Sequence, residues 1–213
     1  MAKLMLFVII IFLHSLAAYA QDERTFRELL IPKDKSSDLK GKIHFKARSD
    51  NYFFDINDDL TQENLYFGNL DGQTYFFIED HRRNIVFKQK LEGVGPGQWP
   101  YKLSLRWLSP KSKAILIHYF EGRVDYLQSR GTSRLDVVTI DDRDLKKINF
   151  FKGPIIWDEQ DDKKQHYHQR PYEISVIDLD GDGIRDISIK YHLISRVMLY
   201  RGNGKWALAD RKF

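Results

Sequence analysis

The sequence predicts an all-β protein built from antiparallel, blade-like sheets, arranged as a partial propeller or as a β-sandwich. Short apolar runs with a period of two fill most of the chain, and turn-forming residues separate them. Few residues lie between neighbouring runs, which favours hairpins and antiparallel pairing. Aromatic residues make up 14% of the chain, and β-sheets favour aromatic side chains.

Fourteen segments carry the strand pattern, and each is bounded by polar, glycine or proline residues. They are short, as strands in globular proteins usually are. In chain order, the predicted strands are residues 42–47, 52–56, 65–68, 74–79, 84–90, 102–108, 114–120, 124–128, 135–140, 147–151, 172–178, 186–192, 197–201 and 205–208.

The first twenty residues have the features of a cleaved signal peptide, residues 1–20. Lys3 supplies a positive charge, residues 4–13 are apolar, and Ala18 and Ala20 fit the small-x-small cleavage pattern, so Gln21 is the expected first mature residue. The apolar run is about half of the roughly 20 residues that a transmembrane helix needs. We therefore expect a secreted or periplasmic protein with no transmembrane anchor after signal cleavage.

The composition argues against several classes of protein. The chain contains no cysteine, so we expect neither a lipoprotein anchor nor disulfide bonds. The formal net charge is +4, and basic and acidic residues are interspersed. Because no basic face stands out, we expect no binding to nucleic acid.

Residues 21–213 are long enough to form a single β-rich domain with its own core. A glycine- and proline-rich segment at 93–100 divides it into two halves, 21–95 and 100–213. A short N-terminal helix is predicted at 22–30, because Phe26, Leu29 and Leu30 fall on one face and Pro32 follows. Residues 158–170 are polar without an apolar period, which predicts an exposed loop.

Residues 178–186, with the sequence DLDGDGIRD, predict a calcium-binding loop. Calcium takes about six to eight oxygen ligands, and here oxygen donors recur at loop positions 1, 3, 5, 7 and 9. Gly181 and Gly183 allow the positive φ values that such a tight wrap needs. Carboxylates converging without a cation would repel one another. The predicted ligands are the side chains of Asp178, Asp180, Asp182 and Asp186 and the main-chain carbonyl of Ile184.

The surroundings of this loop differ from those of an EF-hand. An EF-hand has a glutamate at position 12, where this chain has Ile189, and its flanks are helices rather than the alternating runs found here. The stretch 172–206 instead resembles the FG-GAP or VCBS-type repeat of integrin-like propellers: a strand, the DxDGDGxxD loop, a second strand, and a closing glycine-asparagine-glycine turn before Trp206. The resemblance implies that the loop joins two neighbouring strands of one blade and holds Ca²⁺ for structural reasons.

A weaker second calcium site is predicted at 55–63. Asp55, Asn57, Asp59 and Glu63 occupy the same positions 1, 3, 5 and 9, but both glycines are missing, so the wrap is harder to form. The alternative interpretation is an acidic turn with a helix N-cap at Asp58 or Asp59. The run NLDG at 69–72 is a fainter echo of the same pattern.

No short catalytic motif is present: the sequence lacks the G-x-S-x-G elbow, the H-E-x-x-H pair and a phosphate-binding loop. His166 and His168 have the spacing of a zinc pair on a strand, while a solvated loop is the other interpretation of that polar segment. Carboxylate pairs for glycoside hydrolysis leave no local signature, so a hydrolase stays open.

We therefore expect an exported calcium-binding β-protein that acts as a non-catalytic binding or interaction module. Its expected partner is a protein or glycan of the cell surface, met at the cell envelope or outside the cell. The alternative is a secreted or periplasmic hydrolase that acts on a polysaccharide or another polymer, with calcium in a purely structural role.

Overall fold

The computed structural model describes residues 51–92, 97–124, 129–161, 166–169, 171, 173–191 and 194–212. All of them fall within one compact unit, residues 46–213. The predicted signal peptide (1–20), helix (22–30) and first strand (42–47) lie outside the described residues. Within the described part of the chain, no helix is both long enough and apolar enough to span a membrane.

The described residues form strands joined by turns and contain no helix, which confirms the predicted all-β class. Most predicted strands are found, some with longer and some with shorter bounds, and all but the first residue of the predicted strand 124–128 lie outside the described residues. The strands are β1 (Tyr52–Phe54), β2 (Glu63–Leu70), β3 (Gln73–Glu79), β4 (Ile85–Lys90), β5 (Gly97–Trp107), β6 (Lys113–Val124), β7 (Ser129–Ile140), β8 (Ile148–Phe151), β9 (Ile155–Asp161), β10 (His166–Gln169), β11 (Glu173–Ile177), β12 (Asp186–Lys190), β13 (Ile194–Tyr200) and β14 (Trp206–Lys212).

These strands form three antiparallel sheets. The first sheet has the order β1-β2-β3-β4, and the third has the order β11-β12-β13-β14, so both are simple meanders. The middle sheet has the order β10-β9-β7-β6-β5. Its strand β7 pairs with β9 through residues 129–134 and with β8 through residues 137–140, so β8 and β9 share one edge of β7.

Two predicted loops are partly strand. Residues 158–170 were expected to be an exposed loop, but β9 extends to Asp161 and pairs with β10 in an antiparallel hairpin. The free edge of β7 supplies the backbone partners for β9, and this long-range pairing overrides the polar sequence. The glycine- and proline-rich segment at 93–100 likewise contains the start of β5, which pairs with β6 from Gly97 onward.

The middle sheet is covered by apolar side chains on both faces. On β6, Ile115 and Ile117 belong to a core shared with the first sheet, while the alternate residues Ala114 and Leu116 belong to a core shared with the third. Each buried isoleucine or leucine contributes about 1.5–3 kcal/mol when it is fully buried. A strand covered on both faces reads as a continuous apolar run, which explains the sequence AILI at residues 114–117.

The first and third sheets present opposite faces to the middle sheet. In the first sheet, Leu65 and Phe67 of β2 enter the shared core, and they lie two and four residues after the start of that strand. In the third sheet, Ile187 and Ile189 of β12 enter the core, one and three residues after the start. Since side chains alternate between the faces of a strand, these odd and even offsets belong to opposite faces. The first and third sheets therefore cover the middle sheet with opposite faces, as sheets of one orientation do when they are stacked.

Asp136 of β7 is buried in the core between the first and middle sheets, where it lies opposite Ile117 of β6. Its side chain is 1% exposed, and its Oδ1 accepts a hydrogen bond from the backbone N–H of Gly153 at 3.2 Å. Burial raises the pKa of Asp136 to about 7, although that hydrogen bond and the charge of Arg134 oppose the rise. Its carboxyl is therefore protonated in the folded protein at mildly acidic pH.

We expect the substitution Asp136→Asn to change how stability depends on pH. Between about pH 4 and pH 7 the folded wild type holds a proton that the unfolded chain has lost, so its free energy of unfolding falls as the pH rises. The limiting slope is about 1.4 kcal/mol per pH unit. Asparagine does not titrate, so the stability of the variant relative to wild type should increase from pH 5 to pH 8 in urea unfolding. A constant difference would contradict the prediction.

Candidate metal centre

The loop 178–186 connects β11 to β12 at one end of the third sheet. Asp178 follows the last residue of β11, and Asp186 is the first residue of β12. Carboxylate oxygens of Asp178, Asp180 and Asp186 all lie within 4.8 Å of one another. Asp178 and Asp180 are exposed, whereas Asp186 is completely buried. The sequence spacing thus brings three of the predicted carboxylates together at a site with one open side.

Backbone N–H groups hold two of these carboxylates in place. Asp178 accepts hydrogen bonds from the N–H groups of Gly181 at 2.7 Å and Gly183 at 3.0 Å. Asp186 accepts from Leu179 at 3.0 Å and from Tyr200 at 2.8 Å. The last contact links the loop to β13, so Asp186 is fixed by the loop itself and by β13, besides its own position on β12.

The other predicted ligands have different surroundings. Asp182 does not belong to the group of converging carboxylates, and its Oδ1 accepts from the N–H of Ile184 at 2.8 Å. The side chain of Ile184 packs against the core between the middle and third sheets. Asp180 receives a hydrogen bond and ion pair from Arg201 at 2.5 Å. Arg201 thereby offsets part of the loop's negative charge.

The donor set fits a hard divalent cation such as Ca²⁺. All three converging groups are carboxylates, and neither cysteine nor histidine belongs to the group. Burial raises the pKa of the Asp186 carboxyl, and the negative charges of Asp180 and Asp182 raise it further. These charges repel one another in the loop, and a bound cation would remove that repulsion.

Sequence reasoning missed the residues next to the loop that bond the third sheet to the middle sheet. The phenol of Tyr200 donates to Oδ1 of Asp141 at 2.5 Å and accepts from the N–H of Gly204 at 3.0 Å. Trp206 Nε1 donates to Thr139 at 3.2 Å, which is a further bond between the third and middle sheets. Asp141 and Tyr200 are 59 residues apart, so no local pattern could have paired them.

Three hydrogen bonds of the loop 178–186 recur at the same positions in the loop 55–63. The N–H at position 2 donates to the carboxylate at position 9: Ile56 to Glu63 at 2.9 Å here, Leu179 to Asp186 there. The N–H at position 6, from Leu60, donates to Asp55 at position 1 at 3.0 Å. The N–H at position 7 donates to the aspartate at position 5, Asp59, at 2.8 Å.

The backbone also follows the same path in both loops. Positions 4 and 6 have positive φ in each: 79° and 84° for Gly181 and Gly183, and 60° and 69° for Asp58 and Leu60. The wrap therefore forms at 55–63 without either glycine. The helix N-cap interpretation is wrong, because no helix follows within the described residues and β2 begins at Glu63.

The two remaining candidates for a metal site have less structural support. Residues 69–72 form the end of β2 and a tight hairpin turn, in which Asp71 and Gly72 have φ of 51° and 74°, so this echo is a two-residue turn and not a metal loop. His166 and His168 lie on β10 in register with Asp161 and Glu159 of β9.

Comparison with known proteins gives no additional guide. No family model, no curated protein and no solved structure matches this chain. The function therefore has to be inferred from the loops and sheets themselves, and the resemblance of 172–206 to an FG-GAP or VCBS-type repeat stays a prediction.

The equivalence of the two loops predicts that glycine is favoured at position 6 of each, so adding it at position 60 should stabilise the protein and removing it at position 183 should destabilise it. Leu60 is 94% exposed and has a positive φ, so Leu60→Gly should relieve backbone strain and stabilise the protein by about 0.5–1 kcal/mol. A Cβ at Gly183 would meet no atom within 4 Å, so Gly183→Ala should cost about 1 kcal/mol from backbone strain alone.

Urea unfolding in the presence of a chelator measures both effects without a contribution from bound metal. Leu60→Ala is the matched control, because it removes the exposed side chain but keeps a Cβ at positive φ. A gain in Leu60→Ala equal to that in Leu60→Gly would show that exposure of the leucine, and not backbone strain, is responsible.

Proposed function

We propose that this protein is an exported calcium-binding β-protein that acts as a non-catalytic binding or interaction module at the cell envelope or outside the cell. The observation that supports it most directly is the convergence of the carboxylates of Asp178, Asp180 and Asp186 within 4.8 Å on a loop fixed by backbone hydrogen bonds. Ca²⁺ is the ion whose ligand preference matches this set, with Asp182 and the carbonyl of Ile184 as further donors from the same loop.

Calcium in this loop would have a structural role. Asp186 is bonded to the backbone of Tyr200 on β13, and the neighbouring Arg185 donates its N–H to the carbonyl of Leu108 at 2.8 Å in the middle sheet. An ion that neutralises the carboxylates would therefore strengthen the start of β12, its pairing with β13 and its contact with the middle sheet at once.

We further propose that the three sheets are successive blades of a partial propeller of the FG-GAP or VCBS type. In a two-sheet sandwich each sheet buries one face, whereas here the middle sheet buries both. The second strand of each sheet begins with a buried charged residue at the same place in the meander: Glu63, Lys113 and Asp186. This recurrence supports a repeated unit in which the loop before the second strand varies.

The outer face of the first sheet is the surface best suited to bind a partner. It is the face opposite the core, and its aromatic rings form a row: Tyr66 stacks on Phe77 with centroids 5.0 Å apart, and Tyr75 lies 6.1 Å from Phe77. Lys88 lies over the Tyr75 ring at 4.8 Å. Tyr66 and Tyr75 are partly exposed, whereas Phe77, which contacts both, is buried. Partly exposed aromatic rings beside a cation suit either a sugar ring or a protein surface. We therefore place the proposed protein or glycan partner on this face.

Calcium should raise the melting temperature of the mature, metal-stripped protein. A ligand at about 100 times its dissociation constant adds about 2.7 kcal/mol to the free energy of unfolding, which corresponds to a rise of about 5–10 °C for a domain of this size. Asp180→Asn should remove the part of the rise that the loop 178–186 contributes, whereas Asp71→Asn, on the exposed 70–73 turn, should retain all of it. An unchanged melting temperature in the wild type, measured by calorimetry, would refute calcium binding at 178–186.

Binding should depend on the aromatic row and occur without turnover. In a glycan array and in pull-down from envelope extracts, Tyr75→Ala should weaken retention about tenfold or more, because such rings often carry much of an interface's energy. Leu208→Ala is the control, since Leu208 is 55% exposed on the third sheet. Hydrolysis of any polysaccharide in the same panel, lost on substitution of a single Asp or Glu outside both loops, would favour the hydrolase instead.

A further inference from the structure

Three buried carboxylate oxygens in the loop 55–63 have no hydrogen-bond partner. One of them, Oδ2 of Asp58, forms an ion pair with Arg143, which leaves two orphan oxygens, on Asp55 and Glu63. Glu63 is completely buried; its Oε2 accepts from the N–H of Ile56 at 2.9 Å, while its Oε1 is unpaired. Asp55 shows the same pattern, because its Oδ2 accepts from Leu60 at 3.0 Å and its Oδ1 is buried and unpaired. A buried charged oxygen without a partner costs several kcal/mol, so such atoms normally face an ion, a water or a proton.

The orphan oxygens occupy the two ends of the loop, positions 1 and 9. In the loop 178–186 the same two positions, Asp178 and Asp186, supply two of the three carboxylates that converge within 4.8 Å. Burial raises the pKa of Glu63, and the negative charges of Asp59 and Asp55 raise it further. Because its Oε2 accepts from the N–H of Ile56 at position 2, the carboxyl of Glu63 is directed into the loop.

Nearby cations pair elsewhere. Lys113 Nζ donates to the main-chain oxygen of Asp55 at 2.7 Å and to Oδ1 of Asp58 at 2.6 Å. Arg143 Nε lies 3.2 Å from Oδ2 of Asp58. Both cations therefore neutralise Asp58, at position 4, which replaces the glycine of the other loop. Neither bonds to Oδ1 of Asp55 or Oε1 of Glu63, and three acidic groups remain for a cation in the wrap.

We infer that the loop 55–63 is a second divalent-cation site, occupied by Ca²⁺, and that it is formed despite the absence of its glycines. The ligands are Oδ1 of Asp55, the side-chain oxygens of Asn57 and Asp59, the main-chain carbonyl of Thr61, and Oε1 of Glu63. This set offers the oxygen-only chemistry that calcium requires, with water completing the shell. The site would fix the β1–β2 connection of the first sheet as the other loop fixes β11–β12 of the third.

The decisive experiment is a calorimetric Ca²⁺ titration of the chelator-stripped mature protein, with metal content measured in parallel. The wild type should bind two equivalents. Glu63→Gln should bind one, because its amide oxygen keeps the acceptor for Ile56 while its NH₂ replaces the ligand oxygen. Asp180→Asn should lose the other equivalent. Asp58→Asn, beside the site but paired with Lys113 and Arg143, is the matched control and should still bind two.

The outcomes separate this site from the first. Two equivalents in the wild type, with one lost in Glu63→Gln, support the inference. A single equivalent that disappears in Glu63→Gln but persists in Asp180→Asn also supports it, and refutes the site at 178–186. A single equivalent unaffected by Glu63→Gln overturns the inference and leaves the first site intact. If Glu63→Gln fails to fold by circular dichroism, Asp55→Asn takes its place with the same expected loss.

No bound Ca²⁺ in any protein of the series refutes both sites.

Discussion

The burial of both faces of β6 and β7 is the constraint on which the rest of this structure depends. Alternate residues of these two strands enter two separate cores, one shared with the first sheet and one with the third. Neither outer sheet could bury its apolar face without the middle one, because a lone four-stranded meander leaves that face in water. Polar residues in these cores, such as Asp136 and Thr139, are accordingly tied to backbone or side-chain partners.

The loops before the second strand of each sheet surround a buried charged residue. Each second strand begins with a buried charge, negative in Glu63 and Asp186 and positive in Lys113. In the outer sheets a nine-residue loop wraps toward that carboxylate, whereas the middle sheet has a short turn at 108–112 and its lysine reaches across to Asp58. Buried charges need partners. In the two carboxylate loops these partners are backbone N–H groups and, as proposed, calcium.

Local periodicity predicted most strands because a few consecutive residues are enough to show the alternation of apolar and polar side chains in a half-buried strand. It failed at β9, whose partner, residues 129–134 of β7, lies 21 to 32 residues away along the chain. It also failed at β10, which is polar and pairs with β9. It also failed to pair Tyr200 with Asp141, since a hydrogen bond across 59 residues leaves no local trace.

By itself the sequence determined the all-β class and the course of the loop 178–186, because the three converging carboxylates and both glycines of that loop lie within nine residues. Tertiary structure decided the loop 55–63. Asp58 and Leu60 adopt positive φ at a cost of about 1 kcal/mol each. That cost is offset only where β1 and β2 fix the ends of the loop and Lys113, from another sheet, holds Asp58 in place. Such a conformation depends on distant residues, so spacing alone could propose it but not establish it.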